Sequence, residues 1–274
     1  MPVSAKYNPL VAGDPPTQAF FDYDKSDIHK TYGAGRALNA DQVEVWSAVF
    51  REALAGAAAR RIVDLGCGIG RFSAMLRDVS GAAVYGVDRS ARMLAMAASD
   101  PATHGIPWVR ASGEALPLRA GAVDLILMFL VFHHVVDRAA CLRECARVLS
   151  PRGVLIIVNS TVETLDTQRW LPFFPSARAI DLARIPSHRG LVDLAASADF
   201  SLSLHRVVLN PVAPNLRVYA DRVARRTIST LQLVSDDEFA RGIADFRRWC
   251  EGRDRGERVD DEIDVFAFRR AVTT

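Results

Sequence analysis

The chain has 274 residues, half of them apolar, enough to bury a sizeable core. Thirty-four basic side chains face 32 acidic ones, a net charge of +2, and that balance argues against nucleic acid or an anionic membrane surface as the partner. The four cysteines form no C-x-x-C pair and complete no zinc spacing, so no metal site is expected and a reducing compartment fits.

In chain order, residues 1–38 read as an N-terminal arm with Pro2, Pro9, Pro15 and Pro16 and no apolar signal segment. A helix is expected from Asn39 to about Ala58, with Asn39 as its N-cap. The first strand, Arg61–Leu65, runs into a glycine-rich turn, and helix Arg71–Val79 follows. Strand Ala83–Val87 ends at Asp88; Ser90 is placed to cap the next helix, Ala91–Ala98, which leaves Asp88 free for a ligand. Strands Trp108–Ala111 and Asp124–Phe129 come next, then helix Arg138–Leu149, where Cys141 and Cys145 share a face as small hydrophobes. Strand Val154–Val158 precedes an insertion, 163–199, rich in aromatic residues and proline. Strand Leu202–Leu209, a mostly helical segment 214–256 with Asp236-Asp237-Glu238 at a helix start, and strand Ile263–Phe268 complete the chain.

Strands alternating with helices predict an α/β fold with a parallel sheet covered on both faces. Right-handed crossovers then bring the loop after each strand to one common edge, where a ligand belongs. The longest apolar run, Val123–Phe132, is interrupted by Asp124 and is far short of a membrane span, so a soluble cytoplasmic protein is expected.

The turn after the first strand reads Asp64-Leu65-Gly66-Cys67-Gly68-Ile69-Gly70-Arg71. Glycines at alternate positions let the backbone turn sharply and lie against a ligand, and the following helix start presents free N–H groups there. The dinucleotide fingerprint G-x-G-x-x-G fails, because Gly70 falls one position early and Arg71 stands where the third glycine belongs. The phosphate loop G-x-x-x-x-G-K-[ST] fails too, for want of its lysine. Asp88, about 20 residues downstream, is placed to accept hydrogen bonds from two ribose hydroxyls.

Four elements in order resemble the class I S-adenosylmethionine (SAM) dependent methyltransferases: Asp-x-Gly-x-Gly-x-Gly from Asp64; Asp88 at the second strand end; Arg110-Ala111-Ser112-Gly113-Glu114-Ala115-Leu116-Pro117; and Asp124 to His134 with Arg147-Val148-Leu149-Ser150-Pro151-Arg152-Gly153 behind it. The resemblance implies a Rossmann-like, seven-stranded, mostly parallel sheet with an antiparallel last strand, an arm over residues 1–38, and a catalytic unit over 39–274. It implies SAM as methyl donor and S-adenosylhomocysteine as product. Asp64, Gly66, Cys67, Gly68 and Gly70 would form the cradle, and Asp88, Arg89 and Met93 the ribose side. Ser112, Gly113 and Glu114 would meet the adenine, with Ser112 standing where the family often has Asp. Phe129 would border the methyl.

Similar methyltransferases close a Tyr-x-x-x-Arg arm over the methionine end, which assigns Tyr32 and Arg36 here. His133 and His134, after the fourth strand, are the candidate general bases, against a packing role in the cofactor shell. The Asn/Asp-Pro-Pro segment that holds exocyclic amines is absent, which favours a carbon or oxygen acceptor. Tyr23, Phe132, Trp170, Phe173 and Phe174, with the stretch 180–185, are expected to line or cover a pocket for a small or medium apolar acceptor. The expected partners are that molecule alone, with neither nucleic acid nor a membrane span, in a monomer or homodimer. The competing readings are a cyclisation or rearrangement on the same scaffold, an RNA methyltransferase, and a non-catalytic SAM-binding subunit.

Overall fold

The computed structural model describes residues 21–25, 28–54 and 59–271. The four prolines expected in the arm and the end of the first long helix, 55–58, lie outside the described residues. Seven strands form one sheet: β1 (Arg61–Leu65), β2 (Ala83–Asp88), β3 (Trp108–Arg110), β4 (Val123–Phe129), β5 (Leu149–Asn159), β6 (Phe200–Ala213) and β7 (Val259–Arg270). Their order across the sheet is β3-β2-β1-β4-β5-β7-β6. The first five run parallel, and β7 runs antiparallel between β5 and β6. The seven-stranded, Rossmann-like sheet is therefore the one the sequence implied.

The helices are α1 (His29–Arg36), α2 (Ala40–Leu54), α3 (Arg71–Ser80), α4 (Ala91–Ser99), α5 (Arg138–Val148), α6 (Pro175–Arg184), α7 (His188–Ala196), α8 (Leu216–Ala224), α9 (Ser229–Gln232) and α10 (Asp236–Glu251). Their starts follow local chemistry. Asn39 Oδ1 accepts from Gln42 N at 2.7 Å while Gln42 Oε1 accepts from Asn39 N at 3.3 Å, a reciprocal capping box. Ser90 accepts from Met93 N at 3.1 Å, and Ser235 caps α10, whose first turn carries Asp236, Asp237 and Glu238.

The central strands are apolar on both faces because both faces are covered. On one face Val63, Val87, Ile126, Met128, Leu155 and Ile157 pack with Leu142, Cys145 and Leu191. On the other, Ile62, Val84, Leu125, Leu127 and Ile156 meet Trp46 and Phe50 of α2 and Phe72 and Leu76 of α3. Consecutive strand residues thus alternate between the two cores.

Two features depart from the sequence reading. First, β6 and β7 are much longer than expected. The β5–β7 ladder ends at Asn159↔Asp264, but β6 and β7 stay paired as far as Ala213↔Val259. A two-stranded wall therefore rises past the carboxyl edge of the sheet. Second, the segments 163–199 and 214–256 are not separate appendages. Trp170, Leu171, Phe174, Tyr219, Val223, Phe246 and Cys250 form a third core between them. At its centre a Cβ on Gly242 would lie 2.5 Å from the Phe174 ring and 2.6 Å from the Phe173 carbonyl oxygen. Gly242→Val is therefore expected to cost about 2 kcal/mol or more by overpacking, read as a lowered denaturant midpoint.

Candidate active site

The carboxyl edge of the parallel strands opens into one continuous cavity. At one end stands the glycine turn. Gly66 and Gly68 adopt φ of +74° and +55°, the left-handed region that glycine occupies without cost. Gly66 N and Cys67 N both donate to Val87 O, at 2.7 and 3.1 Å, which folds the turn back onto β2. A Cβ on Gly68 would meet nothing within 4 Å, so this position leaves open space against bare backbone.

Asp88 lies beside the turn. Its Oδ2 accepts from Gly68 N and its Oδ1 from Ser90 N, each at 2.8 Å. Burial raises its pKa above the ordinary carboxylate value. Asp64 is almost fully buried and accepts from Ser73 Oγ at 2.6 Å; burial pushes its pKa up to about 6. Burial, with Asp64 and Asp88 nearby, drives the Cys67 thiol well above its usual value, so it stays protonated and unreactive. The Ser112 hydroxyl donates to Glu114 and accepts from Glu114 N at 3.5 Å, which leaves it one further lone pair, and Glu114 Oε1 accepts from Val136 N and Asp137 N at 3.2 Å each. Arg89, Met93 and Gly113 complete this end.

The arm supplies the roof. Asp24 accepts from Ser90 Oγ at 2.6 Å and from Arg92 N at 3.2 Å, fastening the arm to the start of α4. Tyr23, Tyr32 and Arg36 then border the cavity. Arg71 Nη1 donates to Arg36 O at 2.5 Å, and Arg36 Nε is buried with no hydrogen-bond partner among the described residues.

At the end of β4, Phe129 stacks on Phe72 at 3.7 Å and meets Trp46 edge-on at 4.7 Å. Leu130 is held at φ +51°, a conformation costly for a residue with a Cβ, and its N–H donates to Val158 O at 2.7 Å. His133 Nδ1 bonds Asn159 Oδ1 at 2.9 Å. His134 Nε2 lies 3.5 Å from Tyr23 Oη and 3.3 Å from Ser229 Oγ. Burial first, and then Arg184, lower the His133 pKa to about 3; burial and His133 itself press His134 well below its ordinary value. Both imidazoles are neutral at pH 7.

Four expected site residues do not line the cavity. Gly70 (φ +78°) serves packing: a Cβ there would lie 2.6 Å from the indole of Trp108, the same ring that presses on Gly86. Phe132 is fully buried in the sheet core under Arg138. Phe173 packs on Phe246 and Trp249, and Phe174 stacks on Phe239, because α10 folds over them and turns both rings into the third core. Trp170, Asp181 and Ile185 do reach the cavity.

The far end comes from places the sequence did not flag. Gln42 and Trp46 of α2, Asn210 and Val212 of β6, Tyr219 and Arg222 of α8, Thr227 to Thr230, and Asp261 and Ile263 of β7 form its walls. Alternate residues of β6 and β7 share one side of the wall, as strand geometry requires. Little in the sequence marks them: Asp261 sits in the polar run Asp260-Asp261-Glu262, and Asn210 stands at the end of an apolar run beside Pro211. Among the described residues no helix is long and apolar enough to cross a membrane.

A family model described as a methyltransferase domain matches residues 63–157, which covers β1 through most of β5. A ubiquinone biosynthesis O-methyltransferase of Caulobacter sp. (strain K31) is 34% identical over 125 residues, spanning 41% of this chain and 49% of that protein. Methyltransferase GfsG of Streptomyces halstedii is 30% identical over 152 residues, 53% of this chain and 55% of that one. The chain thus spans about half the length of these two relatives. A demethylmenaquinone methyltransferase of Thermus thermophilus is 30% identical over 167 residues, covering 53% of this chain and 76% of the relative. Among solved structures, the [4+2]-cyclase SpnF superposes with a TM-score of 0.59 at 17% identity, over 83% of this chain and 80% of that one. A candidate methyltransferase from an antibiotic biosynthesis pathway of Anabaena variabilis gives a TM-score of 0.63 at 18% identity, over 82% and 98%. With the glycine turn, Asp88 and the sheet order in place, these matches settle the family: the chain belongs to the class I SAM-dependent methyltransferases.

Proposed function

We propose that this enzyme binds SAM at the glycine-turn end of the cavity and moves its methyl group to a carbon or oxygen of a small or medium-sized apolar acceptor held at the far end. The observation that carries the reading is the continuity of the cavity from Gly66, Gly68 and Asp88 past Phe129 to Trp46, Val212, Val223 and Ile263. Two ligands meeting end to end is the arrangement an in-line displacement needs. The residues present suit the cofactor: Gly68 offers open space beside backbone, Asp88 a carboxylate for ribose hydroxyls, and Ser112 a hydroxyl for the adenine amino group.

Bound SAM supplies an electrophilic methyl whose leaving group is a neutral thioether, so no acid is required from the protein. The chain's own task is to hold both reactants and keep water out. Arg36, with its unpartnered Nε, is suited to the methionine carboxylate, and Tyr23 and Tyr32 of the arm, which line the cavity beside it, would shield the sulfonium. The relatives named for ubiquinone biosynthesis and for demethylmenaquinone are in keeping with a small-molecule acceptor. Release of S-adenosylhomocysteine from labelled SAM, with quinol acceptors, tests the reading. Product without that release would instead assign a cyclisation.

His134 is read as a positioning residue. A histidine held neutral by burial is a weak base, and its Nε2 faces Tyr23 and Ser229, tying the arm to the segment before α10. His134→Ala is expected to lower turnover by about tenfold, the worth of one or two hydrogen bonds. A loss of about a hundredfold or more, recovered in part by added imidazole, would make it the general base instead.

A further inference from the structure

The far end of the cavity holds a polar pair inside apolar walls. Asn210 of β6 and Asp261 of β7 are direct cross-strand partners. Both border the cavity, between Val212, Ile263 and Val223. Side chains opposite one another on adjacent strands stand about 5 Å apart at Cβ, so their polar atoms can reach two neighbouring atoms of one ligand.

The orientation of the Asn210 amide is fixed by its neighbours. Its Oδ1 receives Gln42 Nε2 at 2.9 Å and Trp46 Nε1 at 3.0 Å. An indole nitrogen only donates, so the atom facing Trp46 is the amide oxygen. The NH2 group points the other way. Asn210 is 7% exposed, and its Nδ2 has no partner among the described residues. Asn210 borders the cavity, so an acceptor atom of a ligand there can take this donor.

Asp261 offers the opposite function. Tyr219 Oη donates to both its oxygens, at 3.1 and 3.3 Å, which fixes the carboxylate and leaves acceptor capacity on each. The charged and titratable groups facing it are Tyr219 and Arg222 from α8, Arg169 from the 163–174 loop, and Arg36 from the arm. Burial outweighs the three guanidinium groups and lifts its pKa to about 7.

We propose that Asn210 and Asp261 form the acceptor-recognition subsite, specific for a ring that carries a hydroxyl next to a carbonyl or ether oxygen. The hydroxyl donates to the Asp261 carboxylate, and the neighbouring oxygen accepts from Asn210 Nδ2. The apolar walls take the rest of the molecule. A ring with either oxygen removed leaves one buried polar group unpaired and is rejected for that reason. The subsite deepens the methyl-transfer reading by naming the acceptor class, and it rests on that reading for the acceptor's place in the cavity.

Calorimetric titration with maltol, whose ring bears a hydroxyl beside a carbonyl, tests the pair against its O-methyl ether. Runs are made with and without saturating S-adenosylhomocysteine. Parent enzyme is expected to bind maltol at least tenfold more tightly than the ether at pH 7.5. Asp261→Asn keeps the shape and an acceptor for Tyr219. Asn210→Asp keeps an oxygen for Gln42 and Trp46 and removes the donor. Each should cut maltol affinity at least tenfold and leave S-adenosylhomocysteine affinity unchanged. The carboxylate must be ionised to accept the hydroxyl. Parent affinity should therefore rise between pH 5.5 and 7.5, and that rise should vanish in Asp261→Asn, which a merely structural role would not produce. Equal affinity for maltol and its ether, no maltol binding, or unchanged affinity in both variants overturns the proposal. Failure to bind S-adenosylhomocysteine while maltol still binds would overturn the methyl-transfer reading instead.

Discussion

Asp88→Ala is expected to weaken S-adenosylhomocysteine binding by at least a hundredfold, measured by calorimetry. Hydrogen bonds to a charged group contribute about 1.5–3 kcal/mol each, and a ribose offers two hydroxyls to one carboxylate. The carboxylate also pins the turn itself, through Gly68 N and Ser90 N at 2.8 Å. Alanine releases both donors, so the cradle loosens as its ribose contact is lost. Asp88→Asn keeps the shape but drops the charge, and should fall between the two. An Asp88→Ala affinity within threefold of the parent would move the nucleoside elsewhere in the cavity.

The two cavity-lining glycines of the turn should respond differently to alanine, Gly66 chiefly in stability and Gly68 chiefly in cofactor affinity. At Gly66 the φ is +74° and an added Cβ would lie 2.2 Å from Val131 Cγ2. Left-handed strain of about 1–2 kcal/mol and overpacking of about 1–3 kcal/mol add. For a chain of this size that lowers the melting temperature by roughly 10 °C. At Gly68 the φ is +55° but nothing of the protein lies within 4 Å of the added methyl. Gly68→Ala therefore costs only the strain, about 1–2 kcal/mol. Its methyl stands in the space proposed for the cofactor, and S-adenosylhomocysteine affinity should drop tenfold or more. Melting curves and titrations of both variants check the contrast. An unchanged S-adenosylhomocysteine affinity in Gly68→Ala would show that the open space there is not the cofactor's.

Much of the fold was legible because its determinants are local. Strands β1 to β4 are short runs between turn residues, and four helices have their caps in the sequence: Asn39, Ser90, Asp137 and Ser235 all accept from the backbone they precede. Where local signals competed, the boundary moved. Leu149 fits the helical pattern of α5, yet it starts β5 because it pairs with Val123.

The aromatic insertion shows the limit more sharply. Phe173 and Phe174 beside prolines read as a pocket lid, and their composition suits a lid. What turned them inward is α10, more than 60 residues later, which brings Phe239, Phe246 and Trp249 against them. Gly70 is similar: its φ requires glycine, but the ring filling the space beside it belongs to Trp108, two strands away.

The sequence by itself determined the parallel sheet, the glycine turn and the acidic residue beyond it. All three depend on backbone conformation and spacing within about 25 residues. Only the tertiary structure decided which side chains face the far end of the cavity. Asn210 and Asp261 are 51 positions apart and meet through the register of two antiparallel strands. Gln42 and Trp46 orient that asparagine from across the chain. Register and helix packing are set by the whole core at once, and no local pattern of residues encodes them.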